Sequence, residues 1–223
     1  MGSMIELTAS DGHKLGAYKA EPSGTPKGGV VVIQEIFGVN QHVRNVADQY
    51  AAAGYLAIAP ALFDRVEKDL DLGYGQEDFG KGRDTRQALK NDGILADVQA
   101  TINEAASAGK VGVVGYCFGG AVSWMAATSC DGVAAASCYY GGGIHASKEA
   151  TPKCPVQYHF GDKDGGIPLN QVAEIKAAQP DTPCFVYDDA GHGFCCDERE
   201  SYNAGACGRA RERTLSLFSQ HVG

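Results

Sequence analysis

Cys117 lies in the stretch VGVVGYCFGG, residues 111–120, between a valine-rich run and a string of glycines. Gly115, Gly119 and Gly120 are small enough to let a strand turn sharply into a helix with the intervening side chain held out at the apex. A serine at 117 would complete the G-x-S-x-G form of that turn; here the apex would present a thiol, which as thiolate attacks a carbonyl carbon. The amide of Phe118, in the first turn of the following helix, is then a candidate donor to the oxyanion, and the helix's positive end favours thiolate over thiol. The motif alone also fits a core cysteine. The chain has eight (117, 130, 138, 154, 184, 195, 196 and 207), several in apolar runs where cysteine behaves as a small hydrophobe.

A nucleophilic thiol needs a base and something to orient that base, and both occur downstream. HFGDKDGGIP, residues 159–168, offers Asp162 and Asp164 just past an apolar run, and DDAGHGF, residues 188–194, offers His192 between two glycines. The order is nucleophile, acid, histidine, each on a loop that follows a strand. Glu35, in the block EIFG, ends another apolar run; taken alone, a carboxylate there is equally a salt-bridge partner.

The elements that must position these residues alternate. IELTAS and KLGAYKA (5–10 and 14–20) flank Asp11-Gly12 and predict a β-hairpin. The β-branched run at 30–33 predicts a strand buried on both faces, and Val43, Val46, Ala47 and Tyr50 predict a helix from Gln41 to Ala53. YLAIAP (55–60) is the next strand. Residues 63–82 are polar and without clear period, which suggests a long excursion over the site. A helix runs from Ile94 to Gly109, a strand over 110–116 and a helix over 119–129. VAAASCYYGG, PVQYHFG and PCFVYDD supply three further strands, with helices over Leu169 to Ala178 and about Tyr202 to His221. Trp124 and Met125 read as core packing. The pattern predicts an α/β domain over residues 4–223, with a mainly parallel sheet of seven or eight strands flanked by helices on both faces. Met1 to Ser3, ahead of Met4, reads as an added remnant.

Composition narrows the function classes. A formal charge of −8 argues against a nucleic-acid or anionic-membrane surface. No run approaches the about 18 apolar residues of a membrane span, and the N-terminal stretch lacks the basic and apolar regions of a signal peptide. A cytoplasmic location, a small-molecule partner and a monomer or small homo-oligomer are the expectations.

VVIQEIFG, GYLAIAPALF, GVVGYCFGG, GDKDGGIP and GHGF, in that order, resemble the dienelactone hydrolase family of α/β-hydrolases over essentially the whole chain. The resemblance implies an α/β-hydrolase fold and cofactor-independent cleavage of a lactone or ester, with dienelactone (carboxymethylenebutenolide) opened to maleylacetate through a thioester. It carries Cys117 over as nucleophile, His192 as base and Asp164 as acid, leaving Asp162 to face solvent or cap a turn. Glu35 would sit near the thiol, hold it protonated at rest and take its proton when substrate binds. Ile36 N–H would join Phe118 N–H as the second oxyanion donor.

One position departs from the family pattern. Where an arginine for a substrate carboxylate is expected, four residues after the histidine, this chain has Cys196. Arg199, Lys81, Arg83 and Arg86 are the replacement cations, and Tyr140 is a candidate pocket residue. No metal is expected: vicinal Cys195 and Cys196 with His192 make a poor ligand set and no fourth ligand has suitable spacing. A broader carboxylesterase or thioesterase, and a silent relative that only binds ligands, are the alternatives.

Overall fold

The computed structural model describes residues 2–223. Strands β1 (Ser3–Thr8) and β2 (Lys14–Ala20) form the expected hairpin, pairing antiparallel from Ser3↔Lys19 to Thr8↔Lys14. Of the residues read as a remnant, Met1 lies outside the described residues, Gly2 donates its amide to the Tyr18 hydroxyl at 2.8 Å and Ser3 opens β1. Then follow β3 (Gly29–Ile33), α1 (Gln41–Ala52), β4 (Leu56–Pro60), α2 (Gln76–Ala88), α3 (Asn91–Ala105), β5 (Val111–Tyr116) and α4 (Phe118–Ser129). The chain closes with β6 (Val133–Tyr139), β7 (Val156–Gly161), α5 (Leu169–Ala178), β8 (Cys184–Tyr187) and α6 (Ala204–His221).

The eight strands form one sheet in the order β1-β2-β4-β3-β5-β6-β7-β8. From β4 to β8 every neighbouring pair is parallel; β2 joins β4 antiparallel. Along β3, Val30 and Val32 pack into one core layer and Val31 and Ile33 into the other, as a period of two requires in a strand covered on both sides. On the first face α1 and α6 bury Val43, Val46, Tyr50 and Phe218. On the second, α3 and α4 bury Ile94, Val98, Ile102 and Val122.

The aperiodic stretch 63–82 differs from a bare excursion, because its second part is the first half of α2. That helix buries only Gly82 and Thr85, so it has no apolar stripe for periodicity to reveal. Its signals are local: Gly75 at the N-cap with Glu77 and Asp78 in the first turn. The segment leading to it is pinned by Arg65, whose guanidinium forks onto fully buried Asp97 with two 2.7 Å hydrogen bonds. Leu72 N–H also donates to the Phe37 carbonyl at 3.0 Å, which holds the segment against the loop that follows β3.

Candidate active site

The carboxyl ends of parallel strands are where an open α/β sheet presents ligand sites, because loops diverge there and helix N-termini point inward. β3 leads to Glu35 and Ile36, β5 to Cys117, β7 to Asp164 and β8 to His192. At the end of β5, Cys117 adopts φ 56° and ψ −116°, a conformation that costs a non-glycine residue about 1–3 kcal/mol. The turn is held because Cys117 donates its amide to Tyr139 O at 3.1 Å and its carbonyl accepts from Gly120 N at 3.0 Å. The glycines are needed for close approach. A Cβ at Gly115 would overlap the Gly119 carbonyl, one at Gly119 the Ile33 and Gln34 carbonyls, and one at Gly120 the Tyr139 carbonyl.

Two hydrogen bonds link the apex to its partners. His192 Nε2 lies 3.0 Å from Cys117 Sγ, and His192 Nδ1 lies 2.8 Å from Asp164 Oδ2. Asp164 is buried, and its other oxygen accepts from the amides of Gly166 (2.9 Å) and Ile167 (3.2 Å). Burial opposes charge on Asp164, but the bond to His192 and these two amides outweigh it and hold the carboxyl below its ordinary range. Burial also opposes charge on His192; hydrogen bonds from the ring to Asp164 and Cys117 reverse that and raise it to about 10. An imidazolium beside the sulfur is the state this arrangement favours. Asp162, by contrast, accepts from Ala190 N at 3.3 Å and lies 3.4 Å from Lys163 Nζ, so it braces the histidine loop.

Phe118 opens α4, where amides have no intrahelical carbonyl to bond. The Ile36 peptide is wedged by α2: a Cβ at Gly82 would overlap the Ile36 carbonyl oxygen. Glu35 is buried, and neither of its oxygens has a hydrogen-bond partner among the described residues. Its neighbouring cation is Arg199, with Nη1 3.8 Å from Glu35 Oε1. The hydrogen bond recorded at the Cys117 sulfur is therefore with His192 and not with Glu35.

Above the histidine is an open cleft of about 590 Å³, lined by Phe37, Tyr74, Phe79, His192, Arg199 and the 198–201 loop. Phe37 packs on Tyr74 at 4.5 Å and on Phe79 at 6.3 Å between ring centroids, giving one aromatic wall. Of the expected cations, Arg199 lines this cleft. Lys81 is 2.7 Å from Glu67 at the surface, and exposed Arg83 is 3.3 Å from its neighbour Asp84. Arg86 lies over the Phe118 ring at 4.6 Å and does not line the cleft. Tyr140 is fully buried rather than lining the cleft: at φ 36° it turns in after β6, and its ring stands edge-on to His192 at 5.2 Å.

Spacing flags no cysteine pair, yet Cys195 and Cys207 form a disulfide that ties the histidine loop to α6. Cys196 faces the other way in chemistry: it is free and buried, and burial followed by the nearby Glu35 carboxylate pushes its thiol up to about 12. His42 belongs to the same neighbourhood, and sequence reasoning passed over it. The signal was present, because position 42 falls on the buried phase of α1 beside Val43 and Val46.

The profile of the dienelactone hydrolase family matches residues 15–222. The chain belongs to the dienelactone hydrolase family. It is similar to a carboxymethylenebutenolidase of Pseudomonas putida, 32% identical over 96% of this chain and 95% of that one. A Synechocystis protein named "Putative carboxymethylenebutenolidase" is 36% identical over 94% of this chain and 93% of its own length. The crystal structure titled "Putative Dienelactone Hydrolase" from Klebsiella pneumoniae superposes with a TM-score of 0.82 at 28% identity, covering 98% of this chain and all of that one. The eight-stranded sheet is thus an α/β-hydrolase fold, and the family's chemistry makes the protein a carboxylic ester hydrolase acting on small molecules. No helix among the described residues is long and apolar enough to cross a membrane.

Proposed function

We propose that the protein opens an unsaturated lactone, dienelactone (carboxymethylenebutenolide) to maleylacetate, with Cys117, His192 and Asp164 as the triad. The observation that carries this is the continuous hydrogen-bonded line from Asp164 through His192 to the Cys117 sulfur, at 2.8 and 3.0 Å. The Cys117 thiolate adds to the lactone carbonyl, and the oxyanion rests on the amides of Ile36 and Phe118. Collapse breaks the ring C–O bond, the leaving enolate takes the His192 proton, and the acyl group stays on sulfur as a thioester. Neutral His192 then removes a proton from water; the hydroxide adds to the thioester and expels the thiolate, and the enol product becomes the ketone. Glu35 takes the thiol proton in any chain that rests as thiol, moving as substrate draws Arg199 away.

The aromatic wall of the cleft and Arg199 favour a flat substrate with a carboxylate, which Arg199 holds against Glu198 and Glu200 in the same lining. Arg199 supplies a planar guanidinium that fits a carboxylate through two parallel hydrogen bonds. The test compares hydrolysis of dienelactone and of a neutral chromogenic ester by wild type, Cys117→Ala and Arg199→Ala. Cys117→Ala should lose activity on both by at least about 1,000-fold, and Arg199→Ala should raise KM for the lactone far more than for the neutral ester. Equal rates in wild type and Cys117→Ala would end the proposal. An equal KM effect on both substrates would move it to a broader esterase.

A further inference from the structure

Glu35, His42 and Cys196 offer one ligand atom each within 4.8 Å of the other two, and all three residues are buried. Both Glu35 oxygens and His42 Nε2 have no hydrogen-bond partner among the described residues. A buried polar atom left unpaired costs about 1–3 kcal/mol, so three at one point call for an occupant. His42 is already oriented for one. Its Nδ1 is 2.8 Å from Asp197 Oδ1, where it donates to the carboxylate, so Nε2 is the ring nitrogen left free for a ligand. That carboxylate–histidine pairing is how ligating imidazoles are commonly held. The disulfide at Cys195 fixes the backbone beside Cys196.

We propose that Glu35, His42 and Cys196 form a binding site for one zinc-class divalent ion, with Asp197 positioning His42. The donor set is one carboxylate oxygen, one imidazole nitrogen and one sulfur. Magnesium and calcium take oxygen donors, whereas this mixture suits zinc or cobalt(II). Donors around a tetrahedral ion stand roughly 3.3–3.8 Å apart given its usual bond lengths, so side-chain rotations of about 1 Å close the 4.8 Å set. Binding releases the Cys196 thiol proton to solvent, and two anionic donors neutralise the ion. Three protein ligands leave a fourth position for water or for the Tyr74 hydroxyl, which neighbours Cys196. Occupancy pins Glu35, whose movement the proposed function uses, so the ion arrests hydrolysis reversibly; that consequence rests on the proposed function, whereas the site does not.

Calorimetric titration with zinc and absorption spectroscopy with cobalt(II) test the site on the full chain. The rival ligand pair is Cys117 and His192, so each titration is run on wild type, Cys117→Ala and Cys196→Ala. The expected result is one zinc per chain in wild type and Cys117→Ala, with a sulfur-to-cobalt charge-transfer band in both, and neither in Cys196→Ala. Asp197→Asn, a change at a half-exposed surface residue, should weaken zinc about 10-fold or more and serves if Cys196→Ala does not fold. Equal zinc affinity in wild type and both of these variants would overturn the proposal, as would a band that vanishes in Cys117→Ala and survives in Cys196→Ala. Because calorimetry does not depend on turnover, a chain that binds zinc but opens no lactone would fail the proposed function and keep the site.

Discussion

His192 bridges Cys117 and Asp164 by two hydrogen bonds, and its charge state sets how the site responds to pH. Hydrogen bonds to Asp164 and Cys117 raise it to about 10 against 6.5 when free. A group whose folded value is raised stabilises the fold fully below its unfolded value and loses that contribution as pH climbs through the folded one. Wild type should therefore exceed His192→Gln in urea-unfolding stability at pH 6, with the gap closing between about pH 6.5 and 10. A gap that widens over that interval would contradict the charged imidazole. Asp164, held low, works in the opposite direction, contributing above about 3.8 and losing it as pH falls through its depressed value. At this scale the grouping of Cys117, Asp164 and His192 was legible, because each sits in a short local motif after a strand. Arg199 as the cleft's guanidinium was legible only as one of four cations, since contact over many residues decides which one turns inward. The Glu35, His42 and Cys196 cluster was not legible: its three members come from separate elements, and only folding brings them together.

Elements carry the precision that residues cannot supply alone. The oxyanion amide proposed at Ile36 sits on a loop, and what steadies that loop is α2, packed so closely that Gly82 has no room for a side chain against the Ile36 carbonyl. Gly82→Ala should push α2 or the Ile36 peptide aside. The expected outcome is a fall in kcat of at least about 10-fold with a small change in KM, since the displaced amide serves the transition state rather than the bound substrate. Gly80→Ala, on the same helix with open space around its Cβ position, is the control and should leave kcat unchanged. A matched loss in both variants would show that α2 tolerates no alanine and would remove Ile36 from the account. The strands and apolar helices could be read from periodicity because each buries a stripe. α2 escaped because it buries only Gly82 and Thr85, which leaves no apolar period in the sequence.

For the whole molecule, the mainly parallel sheet follows from alternation of strand and helix, and the antiparallel β1–β2 pair follows from the Asp11-Gly12 turn. What alternation does not reveal is how the histidine loop is fastened. Residues 188–203 carry no regular secondary structure, yet they hold His192, Cys196 and Arg199. The Cys195–Cys207 bond closes this loop onto α6 across a separation of 12 residues. On the chain-entropy account, a loop of that size stabilises the fold by about 3 kcal/mol relative to the reduced chain. Cys207→Ser should lower the unfolding free energy by about that amount, and reductant should do the same to wild type while leaving Cys207→Ser unchanged. The loss should also reach the site, because the loop that the bond restrains sets the 3.0 Å approach of His192 to the Cys117 sulfur. Alkylation of Cys117 should accordingly slow in Cys207→Ser, as the imidazole hydrogen-bonded to its sulfur is less often in place to take the thiol proton. Unchanged stability together with unchanged alkylation would mean that the loop is held by its own packing, through buried Phe194 and the Asn203 N–H to Phe194 carbonyl bond, and that the disulfide merely decorates it.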